Sequence, residues 1–177
     1  MTPHYIDSVI YINEEKMMKK PLILASTLLA LTTSSIALAK KPTFKVAIIE
    51  NTTASDEIIS GKFEQSLSEL KQNPSDLNTS FEHAMSLCVV NIKLNKFDNA
   101  EQHCSEAVNV AQTLSEEKTN SKLVALAYNN RAIARALSED NFGALDDFTS
   151  AVLLNHSSLI NNNLSHFKKQ YIAKIEL

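Results

Sequence analysis

The feature that most constrains the fold of this sequence is a repeat with a spacing of 34 residues. Residues 61–66 (GKFEQS) can be laid over residues 95–100 (NKFDNA), which lie 34 positions later (95 − 61). A shift of 44 positions relates the next copy to the second, since it carries Ala100, Cys104, Ala107 and Val108 onto Ala144, Phe148, Ala151 and Val152. The ten extra residues (44 − 34) can be absorbed around the polar stretch 115–122, which lengthens one loop or helix end. Recurrence over this length is typical of stacked supersecondary units.

Within each copy the apolar residues follow the period of an amphipathic helix. Segment 81–92 carries an apolar stripe at i, i+4, i+7, i+8 and i+11, and Asn95-Lys96 ends it. A second stripe runs from Ala100 to Ala111, and residues 126–137 and 144–154 repeat the two helices. Each helical hairpin leaves an apolar face that only a neighbouring hairpin can cover. The pattern therefore predicts an all-α protein built from stacked hairpins.

Composition narrows the class further. The chain has 177 residues, of which only 2 are Gly, and this scarcity disfavours Rossmann turns, phosphate-cradling loops and β-sandwiches. A formal net charge of −3 argues against a nucleic-acid partner, because phosphate neutralisation requires a basic surface. The apolar fraction of 44% is enough for a core, so the chain is not a disordered tail.

The two better copies resemble the tetratricopeptide repeat (TPR) family. In residues 125–158 the string YNNRAIARALSEDNFGALDDFTSAVLLN places small and aromatic residues at the family's positions, and residues 81–114 match more loosely. The positions taken to pack the repeats together are Ala84, Leu87, Ala100, Ala107, Tyr128, Ala132, Ala144, Phe148 and Ala151. The earliest copy, 47–80, keeps only its second half.

The resemblance implies a short solenoid and a binding role. We expect a TPR-like helical domain over 55–171, with a capping helix at 159–171, preceded by an extended segment at 40–54. The β-branched stretch 44–49 (FKVAII) favours a short strand within that segment. In this family the first helices build a concave surface for a protein or peptide, which here would include Met85, Val89, Ile92, Asn129, Ile133, Arg131 and Arg135.

Residues 1–39 are interpreted as an upstream extension followed by a cleavable signal peptide. Lys-Met-Met-Lys-Lys at 16–20 precedes the uncharged run PLILASTLLAL, and Ala37 and Ala39 supply the small-x-small ending of a cleavage site after Ala39. The apolar run is too short to span a bilayer as an anchor. Asp7, Glu14 and Glu15 do not suit a signal peptide, so Met17 or Met18 is the better start. The mature chain would then be periplasmic, in a Gram-negative bacterium, or alternatively secreted, and would meet a membrane only through the signal peptide.

Cys88 and Cys104 are the only cysteines, and two interpretations stay open. They are either two small core residues or a disulfide, which an oxidising compartment would favour. A redox or metal-handling protein using this pair is the first alternative function. His83 stands about 140° from Cys88 around a helix, and His103 diverges from Cys104, whereas structural zinc needs four converging ligands. No metal site is predicted.

Arg131 and Arg135 are four residues apart in the last copy. They either pair with acidic residues across the hairpin, such as Asp140 or Asp147, or form a cationic spot that captures a partner's carboxylate. The adjacent Asp146 and Asp147 are interpreted as a solvated edge, because neighbouring helical side chains diverge by about 100°.

Motifs of enzymes are missing from the sequence. It contains no G-x-S-x-G, no H-E-x-x-H and no P-loop. We therefore predict a protein without catalytic activity or cofactor that binds another protein or a peptide. The second alternative function is an accessory subunit whose helices dock into a larger assembly.

Overall fold

The computed structural model describes residues 9–13, 43–72, 80–114 and 118–175. These residues are mostly helical, as the sequence predicts. The segment 1–39, interpreted as an extension and a signal peptide, lies outside them except for 9–13, which belongs to the extension. The elements in chain order are β1 (Val9–Asn13), β2 (Lys45–Ile49), α1 (Ser55–Ser60), α2 (Phe63–Gln72), α3 (Ser80–Lys93), α4 (Phe97–Thr113), α5 (Lys118–Leu137), α6 (Asn141–Leu154) and α7 (Ser158–Ile175).

The helices form hairpins whose spacing matches the predicted repeat. The second helices of the three units, α2, α4 and α6, begin at residues 63, 97 and 141, which are 34 and 44 positions apart. The turns before them contain Gly61, Asn95 and Glu139 at the same spacing, and all three residues have a left-handed backbone with φ of 81°, 56° and 71°. Asn and Gly tolerate this conformation, whereas Glu139 adopts it under the constraint of the hairpin.

Consecutive helices lie side by side, and small residues mediate their contacts. α3 packs on α4, α4 on α5, and α5 on α6, so the two complete hairpins stack. The alanines predicted to allow close approach, among them Ala100, Ala107, Ala132 and Ala144, have no exposed surface. α7 packs on α6 and α5 as a terminal helix and continues beyond the predicted end at residue 171.

The earliest unit is reduced. α1 has 6 residues and α2 has 10, against 14 and 17 for α3 and α4. The predicted strand is present directly before it as β2. β2 pairs in antiparallel fashion with β1, in a register that runs from Val9 opposite Ile49 to Asn13 opposite Lys45. The sequence analysis did not anticipate β1.

Both faces of β2 are covered by other parts of the protein. Phe44, Val46 and Ile48 belong to one apolar cluster with residues of α3, α5 and α6, whereas Ala47 and Ile49 belong to a second cluster. Successive side chains of a strand point to opposite faces, which explains this alternation. A strand covered on both faces reads as a continuous apolar run, as VAII at 46–49 does, and Lys45 is the exposed residue of β2. No helix within the described ranges has the length and apolarity needed to cross a bilayer.

Candidate functional site

The groove predicted from the first helices is filled by the chain's own strand β2. α3 and α5, which build the predicted concave surface, both contact β2. Five of the seven predicted groove residues are buried, with 0–1% of their surface exposed, and Arg131 and Arg135 are partly buried. The five are Met85, Val89, Ile92, Asn129 and Ile133. In this structure their side chains are therefore covered rather than open to a partner. The sequence identifies which helix faces are apolar, but it does not reveal which segment covers them.

Side-chain amides hold the backbone of β2 along one edge. The Ala47 N–H donates to Oδ1 of Asn130 at 2.9 Å, and Nδ2 of Asn130 donates to the Ala47 carbonyl at 2.8 Å. Asn163 makes the same two hydrogen bonds with Lys45. The Lys45 N–H donates to Oδ1 of Asn163 at 3.0 Å, and Nδ2 of Asn163 donates to the Lys45 carbonyl at 2.8 Å. Each amide thus replaces one residue of a neighbouring strand, because it offers a donor and an acceptor to a single backbone position.

A third amide joins these two. Asn129 donates to Oδ1 of Asn130 at 3.2 Å and accepts from Nδ2 of Asn163 at 2.8 Å. At most 2% of the surface of any of the three is exposed. Buried polar groups need hydrogen-bond partners, so the network and the backbone of β2 satisfy each other. We call Asn129, Asn130 and Asn163 the amide ladder.

Asn129 is a site residue predicted from the sequence, whereas Asn130 and Asn163 were not predicted. Asn competes with the backbone for hydrogen bonds and is a poor residue for a helix interior. Two adjacent Asn in the middle of the apolar helix α5 were therefore a usable signal for a polar network. The run Asn161–Asn163 in α7 carried the same signal, although the sequence does not say that only Asn163 points inward.

Arg131 and Arg135 are occupied by carboxylates. Nε and Nη2 of Arg131 donate to the two oxygens of Asp147, each at 2.8 Å. Arg135 donates to Asp147 at 2.9 Å and to Glu101 at 2.8 Å, which ties α5 to both α6 and α4. The predicted pairing across the hairpin is present, and in this arrangement neither guanidinium is left as a cationic spot for a partner.

The prediction that Asp147 lies on a solvated edge was wrong. Asp147 has no exposed surface, whereas its neighbour Asp146 is exposed. The difference arises because only Asp147 faces the two guanidinium groups across the hairpin. The hydrogen bond to Asp147 raises the pKa of Arg131 above its usual value, in spite of the opposing effect of burial. The Tyr128 ring also lies 5.2 Å from the centre of this guanidinium.

Cys88 and Cys104 form a disulfide that joins α3 to α4, with their Cα atoms 4.9 Å apart. Neither residue has exposed surface, so the bond lies in the core of the hairpin. Burial of both sulfurs gives the redox hypothesis no accessible reactive group. His103 lies 3.4 Å from Glu106, and burial lowers the pKa of His83 more than the Glu106 carboxylate raises it. The described residues contain no group of three or more His, Cys, Asp or Glu arranged to hold a metal ion.

The positions predicted to pack the repeats lie in the interior, with one difference. Tyr128 is only partly buried, and its hydroxyl accepts a hydrogen bond from Gln112 at 3.1 Å. The remaining eight are buried: Ala84, Leu87, Ala100, Ala107, Ala132, Ala144, Phe148 and Ala151. The predicted cleavage-site residues Ala37 and Ala39 lie outside the described residues.

An open cleft of about 450 Å³ lies between α4, α5 and α6. It is lined by uncharged side chains, including Gln112, Val124, Tyr128, Leu153 and Leu154. Leu153 is 76% exposed and Leu154 is 41% exposed. No pair of acid and base converges on this cleft, so it offers a surface for apolar contact and no evident chemistry.

Comparison with protein-family models, with curated proteins and with solved structures found no match to this chain.

Proposed function

We propose that this chain is an exported, non-catalytic helical-repeat protein of the TPR type that binds another protein. The observation that carries the proposal is the amide ladder, which holds an extended backbone in the groove between the first helices of the repeats. The spacing of the left-handed turn residues Gly61, Asn95 and Glu139 supports the repeat assignment.

The mechanism is passive recognition of an extended backbone. The disulfide joins the helices of one hairpin, the ion pairs with Asp147 join those of the next, and the ion pair between Arg135 and Glu101 links the two hairpins. The hairpins hold Asn130 and Asn163 where their amides meet alternate residues of an extended segment. In this structure that segment is β2, so a partner's segment would take its place. No bond is made or broken, and the amides read the backbone rather than side chains.

Export to the periplasm is supported by the apolar run 21–31 and by the small residues Ala37 and Ala39. The disulfide suits this compartment, because paired cysteines persist in oxidising surroundings. Secretion beyond the periplasm is the alternative location.

The groove can be tested without removing any residue of the protein. A protease site introduced in the exposed turn at 51–53 would cut the chain between β2 and α1 after folding. We expect the fragment that carries β2 to stay bound and to exchange with a synthetic peptide of residues 43–50, as measured by size exclusion and mass spectrometry. The variant Asn130→Ala should release the fragment, whereas Asn162→Ala, at an exposed position of α7, should not. Loss of the fragment from the cut parent protein, with the helices still folded, would refute the proposal.

An accessory subunit of a larger assembly is the second candidate function. It is favoured by the exposed Leu153 and Leu154 beside the open cleft. Leu153→Glu should prevent assembly with a co-purified periplasmic protein under this hypothesis, and should leave exchange of the β2 fragment unchanged.

A further inference from the structure

The backbone N–H and C=O groups of β2 point to two opposite edges of the strand. Lys45 and Ala47 direct their N–H and C=O groups to the amide ladder. Alternate residues of a strand direct these groups to opposite edges, so those of Val46 and Ile48 face β1. The register places Ile12 opposite Val46 and Ile10 opposite Ile48. β1 therefore covers the only edge of β2 that the amide ladder leaves uncovered.

β1 lies upstream of both predicted beginnings of the mature protein. It spans Val9–Asn13, whereas translation from Met17 or Met18, or cleavage after Ala39, would begin the chain later. By either route the exported protein lacks β1 but keeps β2. The N–H and C=O groups of Val46 and Ile48 then lose their partners, and unpaired backbone groups at a sheet edge are a template for another strand.

We propose that in the mature chain this edge of β2 receives an extended segment of another exported protein by antiparallel strand addition. The proposal rests on the export included in the proposed function. The segment has the chemistry of β1, namely about five uncharged residues rich in β-branched and aromatic side chains, as in VIYIN. Two of its residues, at alternate positions, pair with Val46 and Ile48.

The surroundings of β2 favour a single strand over a second copy of this chain. α3 and α5 both contact β2, and β2 has only 5 residues. A partner therefore has only a short edge to pair with, as β1 does with 5 residues of its own. A second copy would bring its helices to the same narrow edge, because its β2 is embedded in the same way.

The experiment uses the exported protein purified from its native host, together with a synthetic peptide of residues 7–15 (DSVIYINEE) as the probe. Mass spectrometry first establishes where the mature chain begins. Fluorescence anisotropy then measures peptide binding to the mature chain and to the full chain of 177 residues. We expect saturable binding to the mature chain, with one peptide per chain, and binding at least about tenfold weaker to the full chain, in which β1 occupies the edge.

Two methylated peptides provide a matched control. Methylation of the backbone nitrogen of Ile12 removes an N–H that faces β2, whereas methylation at Tyr11 removes one that faces away. We expect the peptide methylated at Ile12 to bind at least about tenfold more weakly than the unmethylated peptide, because it loses a hydrogen bond and gains a steric clash. The Tyr11 peptide should bind within about threefold of the parent, because a strand tolerates a missing donor on its outer edge.

Each other outcome overturns the inference in a recognisable way. A mature chain that retains residues 9–13 refutes both the inference and the predicted processing. A chain that begins after Ala39 but does not bind the peptide refutes strand addition and leaves the fragment-exchange test of the groove untouched. Equal binding of the two methylated peptides indicates adsorption to apolar surface. Concentration-dependent dimers that exclude the peptide identify a second copy as the occupant.

Discussion

The side-chain amide of Asn163 is hydrogen-bonded to both backbone groups of Lys45, which lies 118 residues earlier in the chain. This pair connects the last helix to the strand that precedes the first one. Asn130 makes the equivalent pair with Ala47, and Asn129 links the two amides. The extended segment is therefore held through its backbone at alternate positions, by a buried pair at Ala47 and a partly buried pair at Lys45.

Asn163→Ala should destabilise the protein by about 2–4 kcal/mol, because it leaves the backbone N–H and C=O of Lys45 and Oδ1 of Asn129 without these partners. The measurement is urea denaturation. Asn162→Ala is the matched control, since it makes the same change in helix propensity at an exposed neighbouring position. Equal stabilities for the two variants would contradict the role assigned to the ladder.

Replacement of both Cys88 and Cys104 by Ala should lower the free energy of unfolding by about 3 kcal/mol. The bond closes a loop with a sequence separation of 16, and the chain-entropy estimate for a loop of about 15 residues has this size. Alkylation of the unfolded, unreduced protein should detect no thiol, and reduction should reveal both. Two free thiols in freshly exported protein would show that the bond is not formed there.

Asp147→Asn should cost about 3–5 kcal/mol of stability, because it removes the charge that two guanidinium groups share in a buried position. Asp146→Asn changes the neighbouring exposed carboxylate and should alter stability by less than about 0.5 kcal/mol. Thermal and chemical denaturation of both variants provide the comparison. A similar loss for both would mean that net charge, rather than the ion pair, determines the effect.

The stability of the protein should fall as the solution is acidified through about pH 6.5, the ordinary histidine value. Burial, and to a lesser extent Lys169, lowers the pKa of His166, whose ring lies against Phe44 with 4.8 Å between ring centres. The unfolded chain therefore binds the proton more tightly than the folded chain does. The stability that the neutral His166 ring contributes is fully present above its pKa in the unfolded chain, and it is lost as the pH falls toward its pKa in the folded chain. His83 acts in the same direction.

Denaturation midpoints at about pH 7.5 and 5.5 measure this dependence for the parent protein and for two variants. His166→Gln should show a smaller loss on acidification than the parent. His156→Gln, at an exposed position before α7, should keep the parent's dependence. If His166→Gln kept the pH dependence of the parent protein, His166 would not be its cause.

The sequence predicted the helices well because their pattern is local. Apolar residues at helical spacing and the turn positions Gly61, Asn95 and Glu139 recur at 34 and 44 residues, and the structure reproduces those offsets. The strand at 45–49 was also predictable, because β-branched residues follow one another there.

The contacts that the sequence did not predict are all long-range. An apolar helix face does not identify its cover, so the filling of the groove by β2 was missed. Asp146 and Asp147 are residues of the same type, and they differ only because Asp147 faces Arg131 across the hairpin. β1 was missed because residues 1–39 were interpreted as an extension and a signal peptide.

The hydrogen bonds between Asn163 and Lys45 also limit the number of repeat units that the chain can gain or lose. An open array of repeats gains or loses units at either end, since each unit meets only its neighbours. Here duplication of the α5–α6 unit would carry α7 away from the strand it secures, and deletion of that unit would remove Asn130. We therefore expect a change in the number of hairpins to disrupt the fold, and a change in the length of the connecting segments to be tolerated.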